Sequence, residues 1–269
     1  MTERTKVVLS PEQETLLITL YAKAQPDSPL LFDPRAKEIL DQVDYDFSRL
    51  RVPYKTVVLV CQRANKLDAV TRDFLATHPD GVVLQLGCGL DTRFWRVDND
   101  QVDWYDLDMP PVIDLRRKFF SESERYHMIA SSVTDLGWMD RVAAGGRPVL
   151  VVAEGLLMYL GEDGVRQLVL RLHEVFPGCR LIADVFSRLT ARSATQHPSL
   201  RHTGAALGWG IDDPHELEDW APGIQLIEEW YFSGDPDLER LGCGYRMIYK
   251  LAGAFEIVRR AHRVVYYQL

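Results

Sequence analysis

A chain of 269 residues is long enough for one substantial core, or for one domain with a cap over it. Its content of 46% hydrophobic and 26% charged residues is ordinary for a folded, water-soluble domain. The formal charge of −8 offers no basic field to nucleic-acid phosphates or to an anionic membrane surface, so neither is expected as a partner.

Ser10-Pro11 reads as a helix N-cap followed by proline at the first helical position, with Leu16, Leu17, Leu20 and Tyr21 on one apolar face behind it. Gln25-Pro-Asp-Ser-Pro29 breaks that helix, and Asp33-Pro34 starts a second with Ala36, Ile39, Leu40 and Val43 inward. A long helix is expected over 55–76, with Val58, Leu59, Leu67, Val70, Phe74 and Leu75 toward a core. Residues 1–78 are therefore read as an N-terminal helical cap on an α/β domain spanning 79–269.

His78-Pro-Asp-Gly81 punctuates the start of a short β-branched strand over 82–86, which runs into Gly87-Cys88-Gly89. After such a strand, a Gly-x-Gly turn is where α/β sheets approach nucleotides, because glycine permits backbone angles that a β-carbon forbids. A second strand over 102–107 ends in Asp106 and Asp108, 17 and 19 residues beyond Gly89. That is close to the roughly 20-residue offset of an acid that holds a ribose diol. The turn lacks a third glycine, since Thr92 stands three positions past Gly89. This disfavours the pyrophosphate of NAD and favours S-adenosylmethionine, with S-adenosylhomocysteine as product.

Further on come a helix over 110–120, a strand over 126–130, a helix near 138–144 and a fully apolar strand over 148–153. A helix over 162–176 with Val165, Leu168, Val169 and Leu172 inward precedes a fifth strand over 180–186. This alternation predicts a Rossmann-like, doubly wound sheet. Residues 187–222, with Trp209, Trp220, His197, His202 and His215, read as a lid-like insertion over a substrate. Two last strands, near 224–232 and 263–267, flank a stretch containing a helix over 238–255 and are expected to pair antiparallel at the sheet edge.

Several polar groups fall at predicted strand ends, where ligands of such sheets sit. Asp106 and Asp108 point to one side of an extended chain, so that one can hold ribose while the other caps the helix at Pro110. Asp135 is either an N-cap or an adenine contact. Glu154 follows five apolar residues, and a carboxylate there calls for a cationic or donor-rich partner. Asp184 lies inside an apolar strand and is open to several partners. Arg63 is either a solvated arginine or a fork for the methionine carboxylate. Cys88 has no neighbouring base to make it a nucleophile. Cys61, Cys88, Cys179 and Cys243 lack Cys-x-x-Cys or zinc spacing, so reduced thiols, no metal site and a cytoplasmic protein are expected. The first residues carry no apolar signal core, and no stretch is apolar enough to span a bilayer.

Three motifs carry a family resemblance: Leu86-Gly-Cys-Gly-Leu-Asp-Thr-Arg-Phe-Trp-Arg96, Trp104-Tyr-Asp-Leu-Asp-Met-Pro110 and Glu154-Gly-Leu-Leu-Met-Tyr159. Together with Glu14-Thr-Leu-Leu-Ile-Thr-Leu-Tyr-Ala-Lys23 and Asp33-Pro34, they resemble the leucine carboxyl methyltransferase family, and within it the bacterial polyketide-type O-methyltransferases. The resemblance covers roughly residues 12–190 and implies a class I S-adenosylmethionine methyltransferase sheet. It implies that Arg63, helped by Lys23, holds the methionine carboxylate and that Gly87, Cys88 and Gly89 let the backbone approach the cofactor. It further implies ribose on Asp108 with Asp106 second, adenine framed by Asp135 and Leu136, and the methionine amino group near Glu154. Beyond residue 190 the chain departs from the eukaryotic branch, so a phosphatase substrate is not implied. The expected acceptor is a small molecule bearing a carboxylate or a hydroxyl. A carboxylate needs no base; for a hydroxyl the candidates are His197, His202, His215 and Tyr159, and none is assigned. The rival readings are a nicotinamide-dependent oxidoreductase, which lacks its third glycine and a Tyr-x-x-x-Lys pair, and a non-catalytic binding protein.

Overall fold

The computed structural model describes residues 5–6, 11–28, 30–194 and 207–269. The N-terminal part of the chain forms α1 (Pro11–Lys23), α2 (Pro34–Gln42) and the long α3 (Tyr54–Thr77), with β1 (Thr5–Lys6) and β2 (Val43–Asp44) forming a small parallel pair. Asp33 caps α2 by accepting the backbone N–H groups of Arg35 and Ala36, at 3.0 and 3.1 Å, as Asp-Pro at a helix start allows. Leu17 and Leu20 of α1 and Leu67, Val70, Phe74 and Leu75 of α3 are buried, whereas Leu16, Tyr21 and Leu59 are half-buried.

The main sheet has seven strands: β3 (Val82–Leu86), β4 (Asp103–Asp108), β5 (Tyr126–Ala130), β6 (Val149–Ala153), β7 (Arg180–Phe186), β8 (Gln225–Tyr231) and β9 (His262–Gln268). Their order is β5-β4-β3-β6-β7-β9-β8. The first five run parallel, and β9 lies antiparallel to both β7 and β8. The expected terminal antiparallel pair is thus present, with β9 inserted between β7 and β8. Every residue of β3 and of β6 is buried, as a central parallel strand covered on both faces requires. One core layer joins the sheet to α1, α2, α3 and α5 (Pro110–Arg116); the other joins it to α6 (Gly161–Val175).

Strand order reverses between β3 and β6, so their carboxyl ends open the crevice where such sheets take ligands. The short α4 (Arg93–Val97) follows the glycine turn of β3. Two local expectations need correction. The helix at Pro110 stops at Arg116, and the helix expected near 138–144 is a 3-10 turn, Leu136–Arg141. The segment after β7 contains a helix, α7 (Arg188–Ala194), and a 3-10 turn, Pro214–Trp220, sealed by an Asp213/Glu216 capping box. Gly208 and Trp209 N–H groups donate to Met158 O, and Ile211 N–H donates to Phe186 O, which ties the returning chain to the 3-10 turn after β6 and to the end of β7. His197 and His202 lie outside the described residues.

Candidate active site

Beyond Leu86 the chain turns at Gly87 and Gly89, whose φ values are +63° and +50°. A side chain is strained at these angles, and a β-carbon on Gly89 would also stand 2.9 Å from Leu16 Cδ2. The Cys88 N–H donates to Leu107 O at 3.1 Å, fastening the turn to the end of β4. Burial pushes the Cys88 thiol well above its ordinary pKa, and its Sγ bonds to no described residue. It is an inert core thiol.

The two acids of β4 have different surroundings. Asp108 is half-buried; it accepts the Gly89 N–H on Oδ2 and the Met109 N–H on Oδ1, each at 2.7 Å. Burial raises its pKa, against the pull of those two donors. Asp106 is fully buried and saturated: Trp104 Nε1 donates to Oδ1 at 2.9 Å, while Tyr126 OH and Arg116 Nη2 reach Oδ2 at 2.5 Å each. Arg116 also donates to Gly89 O at 3.0 Å. Both acids therefore act on Gly89, Asp108 directly on its N–H. Asp106 does so through Arg116 and presents no free oxygen to a ligand, so its expected place as second ribose acid is corrected to support of the turn. Asp135 is exposed at the start of its 3-10 turn but makes no side-chain cap bond, and Leu136 beside it is half-buried.

A connected ionic cluster lies across the crevice. Glu154, just past β6, accepts Arg63 Nε at 3.1 Å and Arg93 Nη2 at 2.5 Å, with Lys23 Nζ at 3.5 Å. These cations outweigh burial and hold its pKa below the usual value. Lys23 also donates to Asp91 at 2.9 Å. Arg93 and Arg96 share Asp68 of α3, through Nε contacts of 2.7 and 2.6 Å. Arg96 further reaches Asp33 and Asp91 at 2.7 and 3.0 Å. Asp33 also accepts the Thr92 hydroxyl.

Arg63 belongs to this cluster and is not a solvated arginine. Its Nη1 donates to Asp184 Oδ2 at 2.9 Å, while Nη2 makes no hydrogen bond to a described residue. Asp184 is completely buried and also accepts the Gly155 N–H at 2.5 Å and His262 Nε2 at 2.8 Å. Burial would raise its pKa, but Arg63 and the His262 bond hold it strongly down.

Sequence reasoning did not single out Asp68, Arg96 or His262. Asp68 and Arg96 look like ordinary helix-surface charges, and only their burial at 1% and 8% side-chain exposure marks them. His262 stands at the start of a strand far along the chain, and antiparallel pairing with Phe186 brings it beside β7. Of the base candidates, His215 pairs at the surface with Glu218, whose other oxygen takes the Leu226 N–H. Leu226 aligns through Tyr267 with Leu181, near the start of β7, so His215 sits at the opposite end of the sheet from the crevice. Tyr159 lies on the crevice side, in the 3-10 turn Leu157–Tyr159, and is partly exposed.

The donor set suits an adenosyl amino acid by its chemistry. A carboxylate beside a glycine turn matches a diol, and a guanidinium touching a carboxylate matches a zwitterion. Among the described residues no cluster of ligating side chains could hold a metal. Fold and site define a class I S-adenosylmethionine-dependent methyltransferase. The leucine carboxyl methyltransferase family model matches residues 15–173, and the chain belongs to that family.

The chain is 42% identical over 263 residues to the tetracenomycin polyketide synthesis O-methyltransferase TcmP of Streptomyces glaucescens, covering 93% of this chain and 97% of that protein. It is 31% identical to the S-adenosyl-L-methionine-dependent methyltransferase dpfgK of Gibberella zeae, over 87% and 86% of the two chains. Among solved structures, a duf574 family protein of Streptomyces avermitilis matches with a TM-score of 0.59 at 14% identity, over 96% of this chain and 99% of the other. That likeness bears on the fold alone. The protein is an O-methyltransferase acting on a small-molecule acceptor, and the oxidoreductase and non-catalytic readings fall away. No helix among the described residues is long and apolar enough to cross a membrane.

Proposed function

We propose that this chain methylates an oxygen, carboxylate or hydroxyl, of a polyketide-type metabolite in the cytoplasm, within the crevice at the ends of β3, β4 and β6. The observation that carries the reading is the convergence at one switch point of the glycine turn, Asp108 and the Arg63–Glu154 pair. When bound, S-adenosylmethionine supplies a methyl group already activated on a sulfonium. The protein's task is then alignment, which can be worth about 7–11 kcal/mol.

Gly87, Cys88 and Gly89 would present backbone to the cofactor, with Arg116 and Asp106 bracing the turn. Asp108 would hold the ribose, and Asp135 with Leu136 the adenine. Arg63 would use its spare Nη2 for the methionine carboxylate. Glu154 would take the amino group, with Lys23 setting the charge beside it. Residues 1–78 would act as the cap, and 187–222 would exclude water from the acceptor side.

Two measurements test this. Calorimetry should detect S-adenosylhomocysteine and not NADH; absence of heat with the former at micromolar protein would sink the cofactor assignment. A labelled-methyl assay over aromatic carboxylic acids and phenols should yield base-labile esters or base-stable ethers. Transfer to neither class, in a chain that binds S-adenosylhomocysteine, would refute the acceptor assignment.

A further inference from the structure

Three elements around the crevice meet at Asp184, which stands on β7 opposite Val264 of β9 and is completely buried. Burial would raise its pKa, but Arg63 and the His262 bond hold it down, so the group is a carboxylate and its oxygens only accept. Oδ1 takes the Gly155 N–H from the turn after β6, at 2.5 Å. Oδ2 takes Arg63 Nη1 from α3 at 2.9 Å and His262 Nε2 from β9 at 2.8 Å. Both oxygens are engaged and neither reaches the open crevice, so Asp184 can act on a ligand only through these partners.

Arg63 is the charged partner, and 13% of its side chain is open. Glu154 holds Nε at 3.1 Å and Asp184 holds Nη1, so the guanidinium plane is pinned at two of its three nitrogens. Nη2 alone makes no hydrogen bond to a described residue. Gly155 lies against the same group: at φ +63° it carries no side chain, and a β-carbon there would stand 3.5 and 3.6 Å from Nη1 and Nη2. With Glu154 alone, the fork of a long, flexible side chain could swing about a single contact. The second contact fixes its plane before any ligand arrives. The Gly155 N–H and His262 in turn hold the carboxylate that makes this second contact.

We infer that Asp184 is a positioning residue for the methyl donor: by pinning Nη1 it leaves Nη2 as the donor edge that Arg63 offers, and so fixes where the methionine carboxylate binds. This rests on the cofactor reading above. The grip on the amino-acid end of the ligand then depends on a carboxylate that never touches it. The adenosine end is held by other elements, Asp108 and the glycine turn, so recognition of the two ends is separable. Asparagine at 184 would break the arrangement in either orientation of its amide. With the NH2 on the Oδ2 side, it faces the donors of Arg63 and His262; with the NH2 on the Oδ1 side, it faces the Gly155 N–H. In both cases the negative charge that holds Nη1 is gone.

Calorimetry with S-adenosylhomocysteine and with 5′-methylthioadenosine tests this, because the second ligand keeps the adenosine and lacks the amino acid. Wild type should bind S-adenosylhomocysteine the more tightly. Asp184→Asn should weaken S-adenosylhomocysteine by about tenfold or more, as loss of a charge-assisted contact does, and leave 5′-methylthioadenosine within about twofold. Equal losses for both ligands would make Asp184 a structural residue and overturn the inference, and so would an unchanged affinity for S-adenosylhomocysteine. In an Arg63→Met background, Asp184→Asn should cost S-adenosylhomocysteine nothing further; an added loss would show that Asp184 acts by another route and overturn it as well. Thermal melting checks each fold. Asp184→Glu, which keeps the charge and displaces it by one methylene, carries the same two-ligand comparison if the asparagine variant does not fold. Wild type that binds the two ligands equally well would sink this inference alone; wild type that binds neither would sink the cofactor reading with it.

Discussion

Replacing the carboxylate by an amide at Asp106 and at Asp108, two positions on one strand, should give opposite phenotypes. Among the described residues Asp106 is the sole carboxylate in contact with the fully buried Arg116. Removing one partner of a buried pair costs about 3–5 kcal/mol. An asparagine keeps an acceptor for Tyr126 or Trp104, and burial already disfavours the Asp106 charge, so about 3 kcal/mol is expected. For a chain of this size each kcal/mol moves Tm by about 2–4 °C, giving a drop of about 6–12 °C. Asp108 is half-buried and bonds only backbone N–H groups, so Asp108→Asn should cost about 1 kcal/mol or less. If Asp108 holds the ribose, that change weakens S-adenosylhomocysteine by at least about tenfold, or 1.4 kcal/mol. Calorimetry on both variants well below their midpoints, with a melting curve for each, separates the effects. A stable Asp106→Asn that no longer binds, or an Asp108→Asn with unchanged affinity, would refute the assignment.

Three other outcomes follow from the ionic cluster and the thiols. Asp68→Asn removes the negative charge that Arg93 and Arg96 share, and each arginine keeps other partners, so about 2–3 kcal/mol should be lost; a Tm within 2 °C of wild type, on the scale of about 2–4 °C per kcal/mol, would show that the network re-forms around the lost charge. Asp68, Asp91, Glu154 and Asp184 all have folded pKa values below their ordinary ones. Their stabilisation is full above the unfolded carboxylate range, about pH 4, and is lost as pH falls through the folded values. The urea midpoint should therefore decline from about pH 4 downward, and a flat midpoint there would contradict the shifts. Burial pushes Cys61 and Cys88 up and Cys179 to about 12, while Cys243 is exposed. Native alkylation followed by mass spectrometry should modify Cys243 first, and labelling of Cys88 at a similar rate would mean that the turn opens readily.

The sheet is legible because its strands are short runs between strong turn signals, the central ones wholly apolar or nearly so; 82–86, 126–130 and 180–186 have the observed ends. Helix 138–144 was misread because its apolar residues cover a single 3-10 turn, too short for periodicity to separate the two. In the site, the glycine turn and Asp108 were visible because local chemistry demands them. Asp106 shares the strand, spacing and charge of Asp108. Only the depth of the pleat and the arrival of Arg116 from α5 separate a structural ion from an accessible one. His262 was invisible for a related reason: its significance depends on strand β9 entering between β7 and β8, a long-range pairing that no local pattern records.

Division at residue 78 separates sequence segments more cleanly than it separates the site. Lys23 comes from α1, Asp33 from the cap of α2, and Arg63 and Asp68 from α3. Their partners Asp91, Arg93, Arg96, Glu154 and Asp184 belong to the sheet and its turns. Most contacts in the cluster therefore cross the boundary, while Arg93–Asp91, Arg93–Glu154 and Arg96–Asp91 stay within the sheet side. Ion pairs this buried are weak grounds for stability, since apolar residues of similar volume would often serve as well. Fixed charges around a crevice that must receive a zwitterion and a sulfonium are a different matter, because each can set the orientation of a ligand group. Through Lys23 and Arg63 the N-terminal helices supply two of the three cations on Glu154, Arg93 being the third.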